Sequence, residues 1–264
     1  MTVSATVGRQ FFRDRLTSQY ASHYHLIVSI FKGVALSSAG ISFLAIVASQ
    51  EPTSVKATAL AIWLTGVAAI IATYNGIMVV SIIVSTPPNA IDLVTPFVMG
   101  LAEFMQFAVL IPRSASVTGV ERDATSQLEH LTWWPLVFAA LMLSACIGIS
   151  NSKGHLRKTA AAAPPDVQPL LRWYMGSLTQ SQTSTAITTA VMGAAFVALH
   201  DGPSSLLHWQ GVLAGIGLFG MVNGIVATER ARQRMVDSVG SEAPAVDAMS
   251  DERPTAAAQP SPDN

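Results

Sequence analysis

Residues 91–111 read Ile91-Asp92-Leu93-Val94-Thr95-Pro96-Phe97-Val98-Met99-Gly100-Leu101-Ala102-Glu103-Phe104-Met105-Gln106-Phe107-Ala108-Val109-Leu110-Ile111. A run of this length and apolarity meets the requirement of a bilayer-spanning helix, about 17–25 residues. One carboxylate, Glu103, interrupts it near the middle. An acidic side chain there costs about 2.5–3.5 kcal/mol on insertion scales, so it is expected to face a polar cavity or a partner and to mark a functional site.

The rest of the chain has the same character. Of its 264 residues 50% are hydrophobic and only 12% charged, whereas a soluble domain carries about 25% charged residues. The surface is therefore expected to meet lipid. The formal net charge is −1 and the pI about 6.6, and no basic face is interleaved with aromatics, so nucleic acid is not an expected partner. Cys146 is the single cysteine, which excludes an internal disulfide and a cysteine-based metal cluster.

Six apolar stretches are expected to span, at about 28–49, 58–84, 91–111, 133–150, 184–200 and 206–227, forming an all-α transmembrane domain over 28–227. The fifth is short and rich in threonine (Thr183, Thr185, Thr188, Thr189), which leaves a four-span or re-entrant alternative open. Lysine and arginine fall unevenly. With the N-terminus inside, twelve are cytoplasmic, namely Arg9, Arg13, Arg15, Lys32, Lys153, Arg157, Lys158, Arg172, Arg230, Arg232, Arg234 and Arg253, against Lys56, Arg113 and Arg122 outside. This asymmetry places both termini in the cytoplasm. Trp63, Trp133, Trp134 and Trp209 then mark outer ends and Trp173 an inner one, as interfacial aromatic rings do.

Residues 1–31 are expected to form a cytoplasmic amphipathic segment lying on the membrane surface, with Phe11, Phe12, Leu16, Tyr20, Tyr24 and Ile27 at helical spacing; a plain extension of the first span is the alternative. Residues 151–168, with Lys153, Arg157, Lys158 and Pro164-Pro165, read as a flexible basic linker. Residues 237–264 are acidic and proline-bearing, the composition of a disordered tail. The stretches around Gln50-Glu51-Pro52 and Asp201-Gly202-Pro203 resemble each other, and each leads into a span carrying Asn-Gly-Ile, at 75–77 and 223–225. Spans 1–2 and 5–6 are thereby candidate duplicated hairpins, as transporters often contain.

On a helix Asp92, Thr95, Met99, Glu103 and Gln106 share one face. Counting from Pro87-Pro88 places Tyr74 and Asn75 at nearly the depth of Glu103, and both donate hydrogen bonds. Lys32 and Arg113 fall near opposite interfaces, so no basic residue is expected beside Glu103, which is then protonated, hydrated or occupied by a cation. The polar intramembrane set is Glu103, Gln106, Tyr74 and Asn75. Gly211/Gly215 and Gly220/Gly224 allow close helix packing on opposite faces of the last span. The histidines form no ligand set, although His130, His200 and His208 share the outer side. No catalytic residue, cofactor or metal is expected, and no phosphate loop, nucleophile elbow or zinc motif occurs.

These features lead to a multi-pass membrane protein that moves a small solute, proton or cation past Glu103. The rival is a non-catalytic membrane subunit or assembly protein whose partner is another copy or another membrane chain. An intramembrane enzyme lacks a second catalytic group and ranks last.

Overall fold

The computed structural model describes residues 2–83, 89–111, 131–202 and 204–240. All regular structure among them is helical. The helices are α1 (Thr2–Ala48), α2 (Thr53–Ile83), α3 (Ala90–Ala108), α4 (Trp134–Ala162), α5 (Gln168–Asp201) and α6 (Gln210–Gly240), with short 3-10 turns at Leu131–Trp133 and Ser204–Trp209. Six helices are long and apolar enough to cross a membrane, over Tyr24–Ala48, Thr53–Ser81, Ala90–Ala108, Leu131–Ala162, Gln168–Asp201 and Leu206–Arg234.

Three segments differ from the sequence reading. α1 is one unbroken helix from Thr2 into the first apolar stretch, so the N-terminal segment continues the span rather than forming a separate element. No glycine or proline lies between Gly8 and Gly33 to break it. The amphipathic face drawn through Phe11, Phe12, Leu16 and Tyr20 lies outside the described side chains. Residues 151–162 are the closing turns of α4, not a flexible linker. Lysine, arginine and alanine are strong helix formers, and the break comes only at the Pro164-Pro165 turn, where Val167 and Gln168 N–H groups donate to the Pro164 carbonyl. α6 runs on to Gly240; residues 241–264 of the expected tail lie outside the described residues.

The fifth element is the longest of the last three. α5 has 34 residues, about 51 Å at 1.5 Å per residue, with no re-entrant break. Its threonines fit this setting because they are satisfied locally: the hydroxyls of Thr179, Thr183, Thr185 and Thr189 each donate to the carbonyl four residues back, at 2.8–3.1 Å.

Packing follows the order α6–α2–α1–α3–α4–α5, with α5 and α6 touching little. The main core gathers Ile62, Phe107, Trp134, Phe138 and Leu141 from α2, α3 and α4, with Leu110 just past the end of α3. A second, smaller core of Val79, Leu156, Leu171, Tyr174 and Ala231 joins α2, α4, α5 and α6 at the end of the bundle richest in lysine and arginine. The opposite end of α4 meets the end of α5 through Trp133, whose ring lies 5.4 Å from Phe196 and 5.7 Å from His200. The two candidate hairpins pack differently: α1 rests against α2, whereas α5 leans on α4 and α6 on α2.

Candidate functional site

α3 begins with a capping box. The Asn89 side-chain oxygen accepts from the Ile91 and Asp92 N–H groups at 2.8 and 3.1 Å, and Asp92 Oδ2 accepts from the Asn89 N–H at 2.7 Å. Both devices satisfy amides that a helix start leaves without partners. The same carboxylate also accepts from Asn151 Nδ2 and lies 2.9 Å from His155 Nε2, both on α4. His155 is buried. The start of α3 is thus fixed to α4 by a polar cluster, and Asp92 acts there in capping and docking.

Eleven residues on, about 16 Å along the axis, the same helix turns its polar face to α1 and α2. Glu103 is fully buried, at 0% exposure, and Lys32 nearly so at 7%. Lys32 Nζ donates to Glu103 Oε1 and forms an ion pair with it. Lys32 also donates to Thr73 Oγ1 at 2.6 Å, and the Thr73 hydroxyl donates to Glu103 Oε1 at 2.7 Å. Three helices meet at one carboxylate oxygen, and each contributes one member of a closed triangle.

The absence of a basic partner for Glu103, expected from the sequence, is corrected here. Lys32 lies eight residues inside the apolar stretch that starts at Tyr24, about 12 Å from its end, and its long stem carries the ammonium further. The hydrogen bonds of Glu103 go to Lys32 and Thr73 rather than to Tyr74 or Asn75. Tyr74 and Asn75 have the right depth, but at about 100° per residue they are turned away from the direction in which Thr73 points. Counting from the turn fixes height and leaves azimuth open. Both are partly buried.

Gln106 stays on the Glu103 side and is 1% exposed. Its amide lies against α2, with Oε1 3.1 Å from the position that a Cβ on Gly66 would take. Glu103 Oε2 and both Gln106 amide atoms are buried without a hydrogen-bond partner among the described residues.

The glycine pairs divide. A Cβ at Gly211 would come within 3.3 Å of Thr58 on α2, while Gly215, Gly220 and Gly224 face open space in the single chain. The close contact to α2 is made instead at Gly217, against Thr65, and at Ala214, whose carbonyl lies 2.8 Å from the Thr65 hydroxyl. His200 packs flat on Phe196 at 5.3 Å, His208 is exposed, and His130 lies outside the described residues. Among the described residues no group of three or more histidine, cysteine or acidic side chains is placed to hold a metal ion.

Comparison with known protein families, with characterised proteins and with solved structures returns no match. The chemistry of the Lys32–Glu103–Thr73 triangle therefore stands on its geometry. A carboxylate with one oxygen tied to a cation and a hydroxyl, and the other oxygen unbonded, can hold a hydrogen-bond donor on the second oxygen. It can also exchange Lys32 for a proton, since either cation neutralises it.

Proposed function

We propose that this chain is a multi-pass membrane protein that moves a small solute, proton or cation through the bundle at Lys32, Glu103 and Thr73. The observation that carries this reading is the burial of the Lys32–Glu103 pair. A buried ion pair is a poor way to gain stability, because apolar side chains of similar volume do as well or better, by about 1–4 kcal/mol in favourable cases. Ionisable groups within spanning helices are rare and mark ion or substrate pathways. Lys32 then serves as the resident counter-charge, which the passing species must displace or bypass.

The orientation belongs to the same proposal. Lys32 is paired inside the bundle, so eleven of the fifteen basic residues remain for the side that holds the start of α1 and the end of α6, which is taken as cytoplasmic.

Reconstitution into vesicles tests the reading. Lys32→Met combined with Glu103→Leu removes both charges and leaves neither alone, so the double variant is expected to fold and insert as the wild type does while losing flux of the solute, proton or cation that the wild type carries. Undiminished flux in that variant overturns the proposal. A second reading, a non-catalytic membrane subunit, is favoured by one observation: of the most apolar stretch of α5 and of α6 only 11% is buried within the chain, against 33–44% for the other four helices. A foreign chain found in fixed stoichiometry by mass spectrometry after gentle purification would support it.

A further inference from the structure

Three buried polar atoms lie on one turn of α3 and are unused by the ion pair. Glu103 Oε1 takes both bonds of the triangle, from Lys32 and from Thr73. Among the described residues Glu103 Oε2 has none, and neither has either amide atom of Gln106. An amide or carboxylate oxygen buried without a partner costs about 1–3 kcal/mol, more when charged, and native proteins leave few such atoms without a reason. Here three occur on residues separated by one helical turn, where side chains are neighbours, about 5–6 Å apart at Cβ. Gly66 is part of the arrangement: it leaves room on α2 for the Gln106 amide, which a methyl group there would crowd at 3.1 Å.

We infer that Glu103 Oε2 and the Gln106 amide form a binding site for one small neutral molecule that both donates and accepts hydrogen bonds. The donor set fixes the class. Oε2 is acceptor-only, whereas the amide offers a donor and an acceptor, so the occupant must donate to the carboxylate and exchange a bond of either sense with the amide. A bare cation fits poorly, because the ammonium of Lys32 already neutralises the same carboxylate and two like charges at one group repel. Water is the smallest member of the class and a hydroxylated solute such as glycerol a larger one. A buried water needs two to four polar partners, and the three atoms named here meet that requirement. For its consequence in transport the inference rests on the function proposed above, and it narrows the passing species to a neutral one; the site itself does not depend on that function.

The test uses the full-length protein in lipid nanodiscs and in phosphatidylcholine vesicles. In hydrated films exchanged between ordinary and oxygen-18 water, wild type is expected to give an isotope-sensitive O–H stretching band of a strongly bonded internal water. Gln106→Leu should remove this band and Gln106→Asn should shift it. Gln106→Leu should also lower the melting temperature, because it deletes bonds to the occupant. If instead the variant melts higher, its amide was an unbonded liability and the site is overturned. Absence of the band in wild type, or a band unchanged in both variants, overturns it too. Glycerol-driven swelling of vesicles separates the sources: swelling faster than protein-free vesicles and lost in Gln106→Leu supports a passing solute as occupant, and swelling equal to protein-free vesicles beside an intact band supports resident water. The O–H band reports on the site whether or not the protein transports, and flux across vesicles carrying wild type, measured against protein-free vesicles, reports on transport, so failure of the two ideas is distinguishable.

Discussion

At the scale of single residues, the energetics of Lys32 and Glu103 depend on their being together. Removing one member leaves the other charged and buried, which costs about 3–5 kcal/mol. Glu103→Ala and Lys32→Met are therefore each expected to lower thermal stability strongly, and their combination to restore most of it, a coupling that a double-mutant cycle by thermal unfolding in detergent measures. Glu103→Gln keeps the shape but leaves Lys32 unpaired, so it too should destabilise; a silent Glu103→Gln would contradict the ion pair. Thr73→Val removes the hydroxyl that completes the triangle and should cost about 1 kcal/mol. The prominence of Glu103 is legible in the sequence, since one carboxylate stands in an apolar run. Its partners are not. Lys32 looks interfacial when the first span is started at Ile27 or Val28, and only the continuation of α1 to Tyr24 and beyond places it at depth. Thr73 carries no sequence signal at all, because a lone threonine in a spanning helix ordinarily bonds its own backbone.

Among the elements, close approach of helices is set by glycines at two crossings. A Cβ at Gly100 would fall 2.8 Å from Phe31 Cβ, and one at Gly66 would fall 2.9 Å from the Phe107 ring. Phe31 is met at the root of its side chain, where no rotamer change relieves the contact, so α1 and α3 must part. Gly100→Ala is expected to destabilise by about 1–3 kcal/mol, and also to loosen the Lys32–Glu103 contact that the same crossing creates. Gly220→Ala and Gly224→Ala meet nothing within 4 Å and should leave the isolated chain's melting temperature unchanged, a control that thermal unfolding of the three variants supplies. The existence and number of helices were readable from apolar runs. The extents of α4 and α5 were not, because an alanine-rich basic segment resembles a linker in composition and a threonine-rich one reads as a short or re-entrant span, while lysine, arginine and alanine favour helix and threonine hydroxyls bond their own turns. The shared face of Asp92 and Glu103 was readable from spacing; that its two ends serve different neighbours, α4 and α1/α2, depends on where α3 lies between them.

At the scale of the whole molecule, the long helices and the distribution of charge bear on the same question. α4, α5 and α6, at 29, 34 and 31 residues, are about 43–51 Å long, well beyond a hydrocarbon core of about 30 Å. The small core of Leu156, Leu171, Tyr174 and Ala231 holds their excess together at one end, and that end presents exposed Arg157, Lys158, Arg172, Arg230, Arg232 and Arg234. Arg234 lies over the ring of Trp173 at 4.5 Å, a pairing of cation and interfacial aromatic suited to the headgroup level. A bundle with an even number of crossings returns its termini to one side, and lysine and arginine close to spans set which side that is. Reporter fusions after Gln168, at the start of α5, and after Asp237, near the end of α6, are therefore both expected to report the cytoplasm. The result also bears on the ion pair: reversal of the bundle would place the polar end of α3, with Asp92 and His155, outside, and the six exposed arginine and lysine residues with it, against the charge bias that inserts such chains. If either fusion reports the outer side, one of the six helices does not cross, and the depth assigned to Lys32 and Glu103 falls with it.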